Sequence, residues 1–314
     1  MKYVSPPRAS VAPSPLCIAP EAETFRILIL SDLHLPSSLE AARRILDNRP
    51  YLRRMDYIVL LGDMCATYAT DREYAHLDQF VRQLERPYGA INGNHEFYFQ
   101  VIDEDSPQHG RVWPEQSPQD KTRQLQKFMN FFGYDSLWRA THTHLGSFIF
   151  LGIDDIESHK VESLSTRQLR FLEEQLQVAP HHPAFVFCHT PVMLETRLDM
   201  VYYEPERTAC VELQGRLADV MTQRTAPIFW MSGHIHLRPD HYLFDAYLAA
   251  PNVWQVHCPD SWGFSRWTRE QLVPQRHREL FSRHLEIAHD SVTLIAHDHR
   301  KREDIARQTV VFGV

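Results

Sequence analysis

The chain has 314 residues, of which 43% are hydrophobic, enough to bury one large core or a core with a small appended unit. With 11 Gly and 20 Pro it is neither a linker nor a collagen-like chain, and no run approaches the ~18 apolar residues of a membrane span. The formal net charge of -7 argues against a general attraction to nucleic acid, although a local basic groove stays open.

Residues 1–23 are rich in Pro, Ala and Ser, and this composition predicts a poorly ordered arm before a single domain over residues 24–314. The arm lacks the apolar run of a secretory signal, so no such signal is expected. The five cysteines are odd in number and form no CxxC pair, which favours a reducing compartment over a disulfide scaffold. We therefore expect a cytoplasmic protein.

From Phe25 onward, short apolar runs alternate with helical patterns. The runs are typical of strands buried on both faces of a sheet, and they occupy residues 25–32, 56–63, 88–95, 147–154, 184–191 and 227–234. Helices are predicted between them, at residues 37–52, 71–86, 120–133, 163–177 and 206–223. This alternation indicates an α/β protein.

The last part of the chain has a different pattern. Four segments are typical of antiparallel strands, at residues 254–261, 282–289, 291–299 and 307–314. We expect these segments to form a second, antiparallel sheet that packs on the first sheet. The predicted fold class is therefore α/β, in the form of an α+β sandwich.

Polar side chains follow five of the predicted buried strands, at the point where each strand ends. They are Asp32 and His34, Asp63, Asn94 and His95, His189, and His234 and His236. Because ligands bind beyond the carboxyl ends of strands in open α/β sheets, we expect these side chains to meet at one rim. Each motif alone could be an ordinary turn, but five such strand ends in one chain predict a site.

The residue types at these strand ends suit a metal centre. Carboxylate, carboxamide and imidazole groups bind Mn, Fe, Zn or Ni, and the set contains no thiolate that would favour a structural zinc site. Asp32 and His34 are two residues apart, so in extended backbone their side chains point the same way. The lone Asp63 can bridge two cations, and two cations ~3.5–4 Å apart can clamp a phosphoryl group.

The ordered motifs SDLH, GD, GNHE, a single His and GHIH resemble the calcineurin-like metallophosphoesterase superfamily, including its small bacterial phosphodiesterase-type members. The resemblance spans roughly residues 25–300. It implies a fold of two facing mixed β-sheets flanked by helices. The sequence departs from many members in one place, because the run GDMCATYATD has no acid soon after GD, and Asp71 is the first.

The resemblance also implies roles for the motif residues. One metal ion, Mn, Fe or Zn, is expected on Asp32, His34, Asp63 and His236, and a second on Asp63, Asn94, His189 and His234. A hydroxide that bridges the ions would be the nucleophile. His95 is expected not to be a ligand: it would contact the phosphate together with Asn94 and protonate the leaving oxygen, a role that suits an imidazole.

Several other residues have two interpretations. Glu96 is either a group that orients a histidine or a solvated glutamate. His257, Asp260, Ser261 and Trp262 could line the pocket mouth, but ordinary strand-end residues are favoured. Loops 97–119 and 194–207, the latter with Tyr202 and Tyr203, are expected to set substrate choice. The arginines at 266, 269, 276 and 278 could attract phosphate or simply be solvated. His142 and His144 precede a strand and are left out of the site.

We compare three candidate functions for this chain. The first is metal-dependent hydrolysis of a small phosphodiester or phosphomonoester, such as a nucleotide or cyclic nucleotide. The second is a nuclease of the same superfamily, which the acidic net charge and the absence of a recognisable DNA-binding unit disfavour. The third is a non-catalytic scaffold, which the complete set of ligand positions disfavours. The substrate is thus expected to be a small phosphoester and not nucleic acid.

Overall fold

A computed structural model describes residues 8–97, 101–102, 111–112, 117–158, 163–193, 211–212, 215–240, 244–261, 264–265, 275–276 and 280–313. Two six-stranded mixed sheets form its centre. The first has the order β18-β17-β16-β1-β2-β3, with β1 (Thr24–Leu30), β2 (Tyr57–Leu61), β3 (Tyr88–Ile91), β16 (Phe281–Ala288), β17 (Ser291–Asp298) and β18 (Glu303–Val311). Strands β1, β2 and β3 are parallel, and β16 to β18 add an antiparallel meander beside β1.

The second sheet has the order β12-β13-β11-β8-β7-β6. Its strands are β6 (Trp138–Thr143), β7 (Gly146–Leu151), β8 (Ala184–Cys188), β11 (Ile228–Ser232), β12 (Tyr247–Ala250) and β13 (Val253–His257). The four central strands are parallel, and β6 and β12 are antiparallel edges. Three further two-stranded pairs are β4 (Val101–Ile102) with β5 (Arg111–Val112), β9 (Val192–Met193) with β10 (Val211–Glu212), and β14 (Phe264–Ser265) with β15 (Gln275–Arg276).

Seven helices lie in the described part of the chain. They are α1 (Leu39–Asp47), α2 (Arg49–Leu52), α3 (Asp71–Val81), α4 (Asn94–Phe97), α5 (Pro118–Phe132), α6 (Thr166–Val178) and α7 (Arg216–Gln223). Local sequence explains several of their ends. Thr70 caps α3 through a reciprocal pair of hydrogen bonds with Glu73, and α5 stops at Gly133, whose left-handed backbone (φ 71°) ends a helix without strain.

The strand sequences alternate between two buried surfaces. In β1, Ile27 and Ile29 point into the layer between the sheets, while Leu28 and Leu30 pack under the helices on the outer side. The layer between the sheets includes a stack of Phe148, Phe185 and Phe229, with ring centroids 5.1 and 5.4 Å apart. The central strands β2, β7, β8 and β11 are therefore buried on both faces, and their continuous apolar sequences reflect this burial.

The C-terminal strands differ from the prediction of a separate antiparallel sheet. Strands β16 to β18 are antiparallel, but they extend the sheet that contains β1. The segment predicted as an antiparallel strand at 254–261 is β13, which pairs in parallel with β11. Apolar strand patterns carry no direction, so the sequence could not distinguish these pairings. The predicted class, with two mixed sheets flanked by helices, is confirmed.

The predicted helices agree with the structure except at their limits. The helix predicted at 37–52 is interrupted at Asn48 and becomes α1 and α2. The helix predicted at 71–86 ends at Val81. In the segment predicted at 206–223, the described helix is α7 alone.

Residues 8–23 of the predicted N-terminal arm contact the domain, while the low order predicted for the arm stays a prediction. Leu16 is buried in the core, the backbone N–H of Ser14 donates to the carbonyl of Tyr88, and the Tyr57 hydroxyl donates to the carbonyl of Ser14. A segment with such contacts is held on the domain, and composition alone does not reveal the partners that hold it. Residues 1–7 lie outside the described residues.

Among the residues given above, no helix combines the length and the apolar character that crossing a membrane requires. Cys17, Cys65, Cys188 and Cys258 are free thiols. The prediction of a reducing, cytoplasmic compartment stays a prediction.

Candidate metal centre

The side chains predicted for the site meet at one rim of the sandwich. The parallel strands β1, β2 and β3 of one sheet and β8 and β11 of the other end at this rim. All of the candidate ligands are buried or half-buried there: Asp32, His34, Asp63, Asn94, His189, His234 and His236. The two sheets thus supply ligands from both sides of the same cleft.

The backbone at this rim is unusual. Five of the candidate ligands have positive φ angles between 46° and 66°, namely Asp32, His34, Asp63, His234 and His236. Asp and His enter the left-handed region more readily than most residues, but each such residue still costs on the order of 1 kcal/mol. Strained backbone concentrated at one cluster of polar side chains is a mark of a functional site.

The first group of side chains contains Asp32, His34 and His236. One potential ligand atom from each lies within 4.8 Å of the others. The Nε2 atom of His236 is 3.2 Å from Asp32 Oδ1 and 3.3 Å from His34 Nε2. Ser31 Oγ and the backbone N–H of His234 both donate to Asp32 Oδ2, at 2.5 and 3.1 Å, and this leaves Oδ1 to face the two imidazoles.

The second group contains Asp63, His189 and His234, again with one potential ligand atom from each within 4.8 Å of the others. His189 Nε2 lies 3.2 Å from Asp63 Oδ2, and Asn94 Oδ1 lies 2.8 Å from His234 Nδ1. The Nδ1 atom of His189 is 2.8 Å from the carbonyl of Leu61, a contact that places the ring proton on Nδ1 and directs Nε2 to the site.

Asp63 lies between the two groups. Its Oδ2 faces His189, and its carboxylate also forms a cluster with His34 of the first group and with His95. The first and second groups approach each other at Asp32 Oδ1 and His189 Nε2, which are 3.9 Å apart. Asp63 therefore lies where a ligand that bridges two metal ions would lie.

His95 lies beside the carboxylate of Asp63. Its Nε2 is 3.8 Å from Asp63 Oδ2, its ring meets that of His34 edge to face at 4.7 Å, and its backbone N–H donates to Asp63 Oδ1 at 2.9 Å. The geometry alone would also permit His95 to be a ligand, because His34, Asp63 and His95 form one of the compact groups. Its assignment as a non-ligand acid therefore stays a prediction.

Two motif glycines are required by close approach. A Cβ atom at Gly93, in GNHE, would overlap Asp63 Oδ1, and a Cβ atom at Gly233, in GHIH, would overlap Ser31 Oγ and Asp32 Oδ2. Any side chain at either position would displace a candidate ligand. The two glycines are therefore required for the geometry of the site.

Glu96 holds the loop that carries Asp63. Its fully buried carboxylate accepts the backbone N–H groups of Asp63, Gly93 and Cys65, at 2.9, 2.8 and 2.8 Å. Burial raises the pKa of Glu96 to about 7, helped by the nearby charge of Asp63 and opposed by the N–H donors. The interpretation of Glu96 as a group that orients a histidine is not supported, because its partners are backbone groups.

The electrostatics of the site are those of carboxylates among neutral and charged imidazoles. Burial raises the pKa of Asp32, but the charges of His236 and His189 lower it by more than burial raises it. The pKa of Asp32 therefore lies below its usual range. Burial lowers the pKa of His189, yet Asp63 and Asp32 outweigh this effect and raise it to about 10. Burial and the neighbouring His95 lower the pKa of His34 to about 3. A positive charge between the two buried carboxylates therefore stabilises the site.

The residues fit a bound metal on two independent grounds. Asp32 Oδ1 and His189 Nε2 are buried, point into the site and take part in no hydrogen bond with any residue that the structure describes. A cation would satisfy both atoms. The donors are carboxylate, amide and imidazole groups, which bind Mn, Fe and Zn.

The other residues singled out in the sequence have separate places. Asp71 begins α3 and pairs with Lys127 at 2.8 Å, so it does not replace the missing acid after GD. His142 contacts Ser147 and Gln175, and His144 contacts the carbonyl of Ala22, which agrees with leaving both out. Residues outside the described side chains are Trp262, the four arginines at 266–278, Tyr202 and Tyr203, and loops 98–116 and 194–207.

Sequence reasoning gave little weight to Asp260. Its carboxylate is buried beside His236, with Oδ2 at 3.9 Å from Nδ1. His257 and Ser261 are also buried, and His257 Nδ1 is 3.3 Å from Ser232 Oγ. The signal in the sequence was the same as for the ligands, since Asp260 follows an apolar strand closely, but β13 was not recognised as a parallel strand that ends at the rim.

The chain belongs to the calcineurin-like phosphoesterase family, whose model matches residues 25–238, more than half of its length. As a member it is a metallophosphoesterase, a metal-dependent phosphoric ester hydrolase. The matched region contains every candidate ligand. By sequence, no curated protein matches the chain.

Solved structures share the fold at low identity. The purple acid phosphatase PPD1 from yellow lupin (Lupinus luteus) seeds has a TM-score of 0.59 and 14% identity, over 94% of this chain and 55% of that one. PhoD has a TM-score of 0.54 and 9% identity, over 94% and 73%. GAP50, the anchor in the inner membrane complex of Plasmodium, has 0.53 and 12%, over 93% and 90%. The chain spans about half of the lupin protein, and at these identities the likeness shows the fold alone.

Proposed function

We propose that this protein hydrolyses a small phosphodiester or phosphomonoester, such as a nucleotide or cyclic nucleotide, at a dinuclear metal centre. One ion would be held by Asp32, His34, Asp63 and His236, and the other by Asp63, Asn94, His189 and His234. The observation that supports the proposal most is the convergence of these seven side chains on one rim, in two compact groups with Asp63 between them.

The metal ions, Mn, Fe or Zn, would supply Lewis acidity toward the phosphoryl group and lower the pKa of the attacking water. Protein side chains would bind the phosphate and protonate the leaving group. Asn94 and His95 would bind the phosphate oxygens. The Nε2 atom of His95, which faces the Asp63 carboxylate, would give a proton to the oxygen that leaves phosphorus. A P–O bond to the water oxygen forms as the P–O bond to the leaving group breaks, and the proton that the water loses balances the proton that His95 gives up. A monoester yields inorganic phosphate and an alcohol, and a diester yields a phosphomonoester and an alcohol.

The fold neighbours have names that point to different functions. The lupin neighbour is named as an acid phosphatase, and the Plasmodium neighbour is named as an anchor. A scaffold has no need of a metal centre, and this chain keeps all seven proposed ligands and His95. For a nuclease, nothing in the described residues adds support, and the net charge of -7 opposes it.

The experiment is hydrolysis of bis(p-nitrophenyl) phosphate and p-nitrophenyl phosphate by protein before and after chelation. We expect activity to vanish in the stripped protein, to return with Mn, Fe or Zn, and to accompany two ions per chain. A panel of nucleotides and cyclic nucleotides then identifies the substrate class. Full activity in the stripped protein would contradict the proposal, and so would a protein that takes up metal but turns over no phosphoester in the panel.

A further inference from the structure

The segment 258–261 joins the two sheets at the rim of the metal centre. The backbone N–H of Cys258 donates to the carbonyl of Ser232 at 2.6 Å, and that of Ser261 donates to the carbonyl of Ser31 at 2.8 Å. Ser31 and Asp260 also form a parallel β-bridge. The backbone of Asp260 is therefore fixed between the ends of β11 and β1, the strands that precede His234 and Asp32.

The Asp260 side chain points toward one of the candidate ligands. Its Oδ2 lies 3.9 Å from Nδ1 of His236, and each of the two side chains is only 2% exposed. The opposite nitrogen of the same ring, Nε2, lies 3.2 Å from Asp32 Oδ1 within the first ligand group. The His236 ring thus stands between the ligand group and a carboxylate outside it.

His189 has a similar arrangement with an uncharged partner. Its Nε2 faces the site, and its Nδ1 contacts the carbonyl of Leu61 at 2.8 Å. Metal-binding histidines commonly have such a partner behind the ring, which sets the tautomer and the orientation. A carboxylate carries a full charge, so at ion-pair distance it makes the imidazole a more basic ligand than a neutral carbonyl does.

Burial supports a role for this carboxylate. Asp260 is 1% exposed, and a buried ionised carboxylate is costly unless positive charge compensates it. His236 lies within ion-pair distance, and a cation on its far nitrogen would polarise the ring toward Asp260. A metal ion on His236 would therefore add to the compensation of the buried Asp260 carboxylate.

We infer that Asp260 is a positioning residue of the metal centre, which acts through Nδ1 of His236 to orient and strengthen that ligand. The inference rests on the proposed function in so far as the centre binds metal. It adds a carboxylate outside the seven ligands, beyond the matched family region at 25–238. Its effect should be confined to the ion held by Asp32, His34 and His236.

The test compares Asp260→Asn with Ser261→Ala, a matched control in the same buried segment. Both variants and the wild type are titrated with Mn²⁺ and Co²⁺ by calorimetry, and the d–d spectrum of the Co²⁺-loaded protein is recorded. We expect Asp260→Asn to weaken one of the two sites by roughly 10- to 100-fold and to shift part of the Co²⁺ spectrum, with the other site unchanged. Ser261→Ala should bind both ions as the wild type does.

Folding is checked by thermal unfolding in chelator, where Asp260→Asn should unfold in one cooperative transition, as the wild type does. Wild-type affinity at both sites in Asp260→Asn would overturn the inference alone, and so would equal weakening of both sites or a similar loss in Ser261→Ala. If Asp260→Asn proves unfolded in chelator, a structural role is shown and the inference is likewise overturned. A wild-type protein that binds neither ion would overturn the proposed function and this inference together.

Discussion

Among the residues that the structure describes, two buried clusters of histidines stand out, and one of them has the features of a metal centre. The rim cluster contains His34, His95, His189, His234 and His236 around Asp32 and Asp63. The second cluster, defined by Tyr51, His284, His297 and His299, lies where α2 packs on β16 and β17. Its sequence His-Asp-His at 297–299 contains ligand residue types at a ligand-like spacing.

The difference lies in what the ring nitrogens face. In the second cluster His297 contacts Asn48 and one carboxylate, Asp304, at 2.9 and 2.8 Å, and His299 contacts Ser282 at 2.8 Å. Among the described residues, no three ligand-type side chains converge there. In the rim cluster, ring nitrogens face carboxylate oxygens and one another, on strained backbone. Histidines alone are therefore poor evidence for metal; nitrogens that converge with carboxylates are better evidence.

The largest expected effect is that of Asp63→Asn. Because Asp63 lies between the two groups, its loss should weaken both ions and lower hydrolysis by at least about 10³-fold, a loss of several kcal/mol of transition-state stabilisation. The measurement is kcat/KM with p-nitrophenyl esters, together with metal content by elemental analysis. Asp304→Asn removes the carboxylate that contacts His297 of the second cluster; it is the matched control and should leave both quantities unchanged. Equal losses in the two variants would break the distinction between the clusters.

His95→Gln should lower the rate without removing metal. If His95 protonates the leaving oxygen, kcat should fall by about 10²- to 10⁴-fold for alkyl esters, which need the proton, and much less for nitrophenyl esters. His142→Gln serves as the control, since the ring nitrogens of His142 contact Ser147 and Gln175, which lie outside the rim cluster. Loss of metal from His95→Gln would instead make His95 a ligand, as its place near His34 and Asp63 permits.

Glu96→Gln tests the support of the rim. The amide of Gln cannot accept all three backbone N–H groups that Glu96 accepts, so we expect the free energy of unfolding in chelator to fall by about 2–3 kcal/mol. Chemical denaturation measures this change. Glu40→Gln removes an exposed pair with Arg44 and should therefore cost much less than Glu96→Gln. A Glu96 variant as stable as Glu40→Gln would show that the Asp63 loop does not depend on this carboxylate.

The smallest expected effect concerns pH and the second cluster. Burial lowers the pKa of His284 to about 4, against an ordinary value of 6.5, partly offset by Asp304 and Glu286. The unfolded chain therefore binds a proton more readily than the folded one, so the stability due to neutral His284 is complete above about pH 6.5 and is lost as pH falls toward about 4. The slope should be about 1 kcal/mol per pH unit.

His284→Asn should flatten this pH dependence, because Asn keeps an acceptor near Nδ1 for the Tyr51 hydroxyl, which lies 2.6 Å away, but does not titrate. The measurement is urea unfolding in chelator at several values between about pH 5 and pH 7.5, where the rim histidines contribute equally to both proteins. An unchanged slope in His284→Asn would show that His284 is not the titrating group.

Much of the rim could be predicted from sequence, because each ligand follows a buried strand and side-chain chemistry narrows its role. The assignment of strands to sheets could not be predicted in this way: β1 and β8 have equally apolar sequences, yet they belong to different sheets. Strand β13 was predicted as antiparallel, so the Asp260 that follows it was not connected with the rim. Glu96 was noted, but its backbone partners depend on the fold of the Asp63 loop.

The central claim is that the rim cluster holds two metal ions and the second cluster holds none. A crystal of the full chain grown with Mn²⁺, with data collected near the manganese absorption edge, tests this directly through the anomalous difference map. We predict two peaks ~3.5–4 Å apart, one on each side of the Asp63 carboxylate, and no peak near His297 and His299. A single peak that does not touch Asp63, or a peak in the second cluster with the rim empty, would contradict the account.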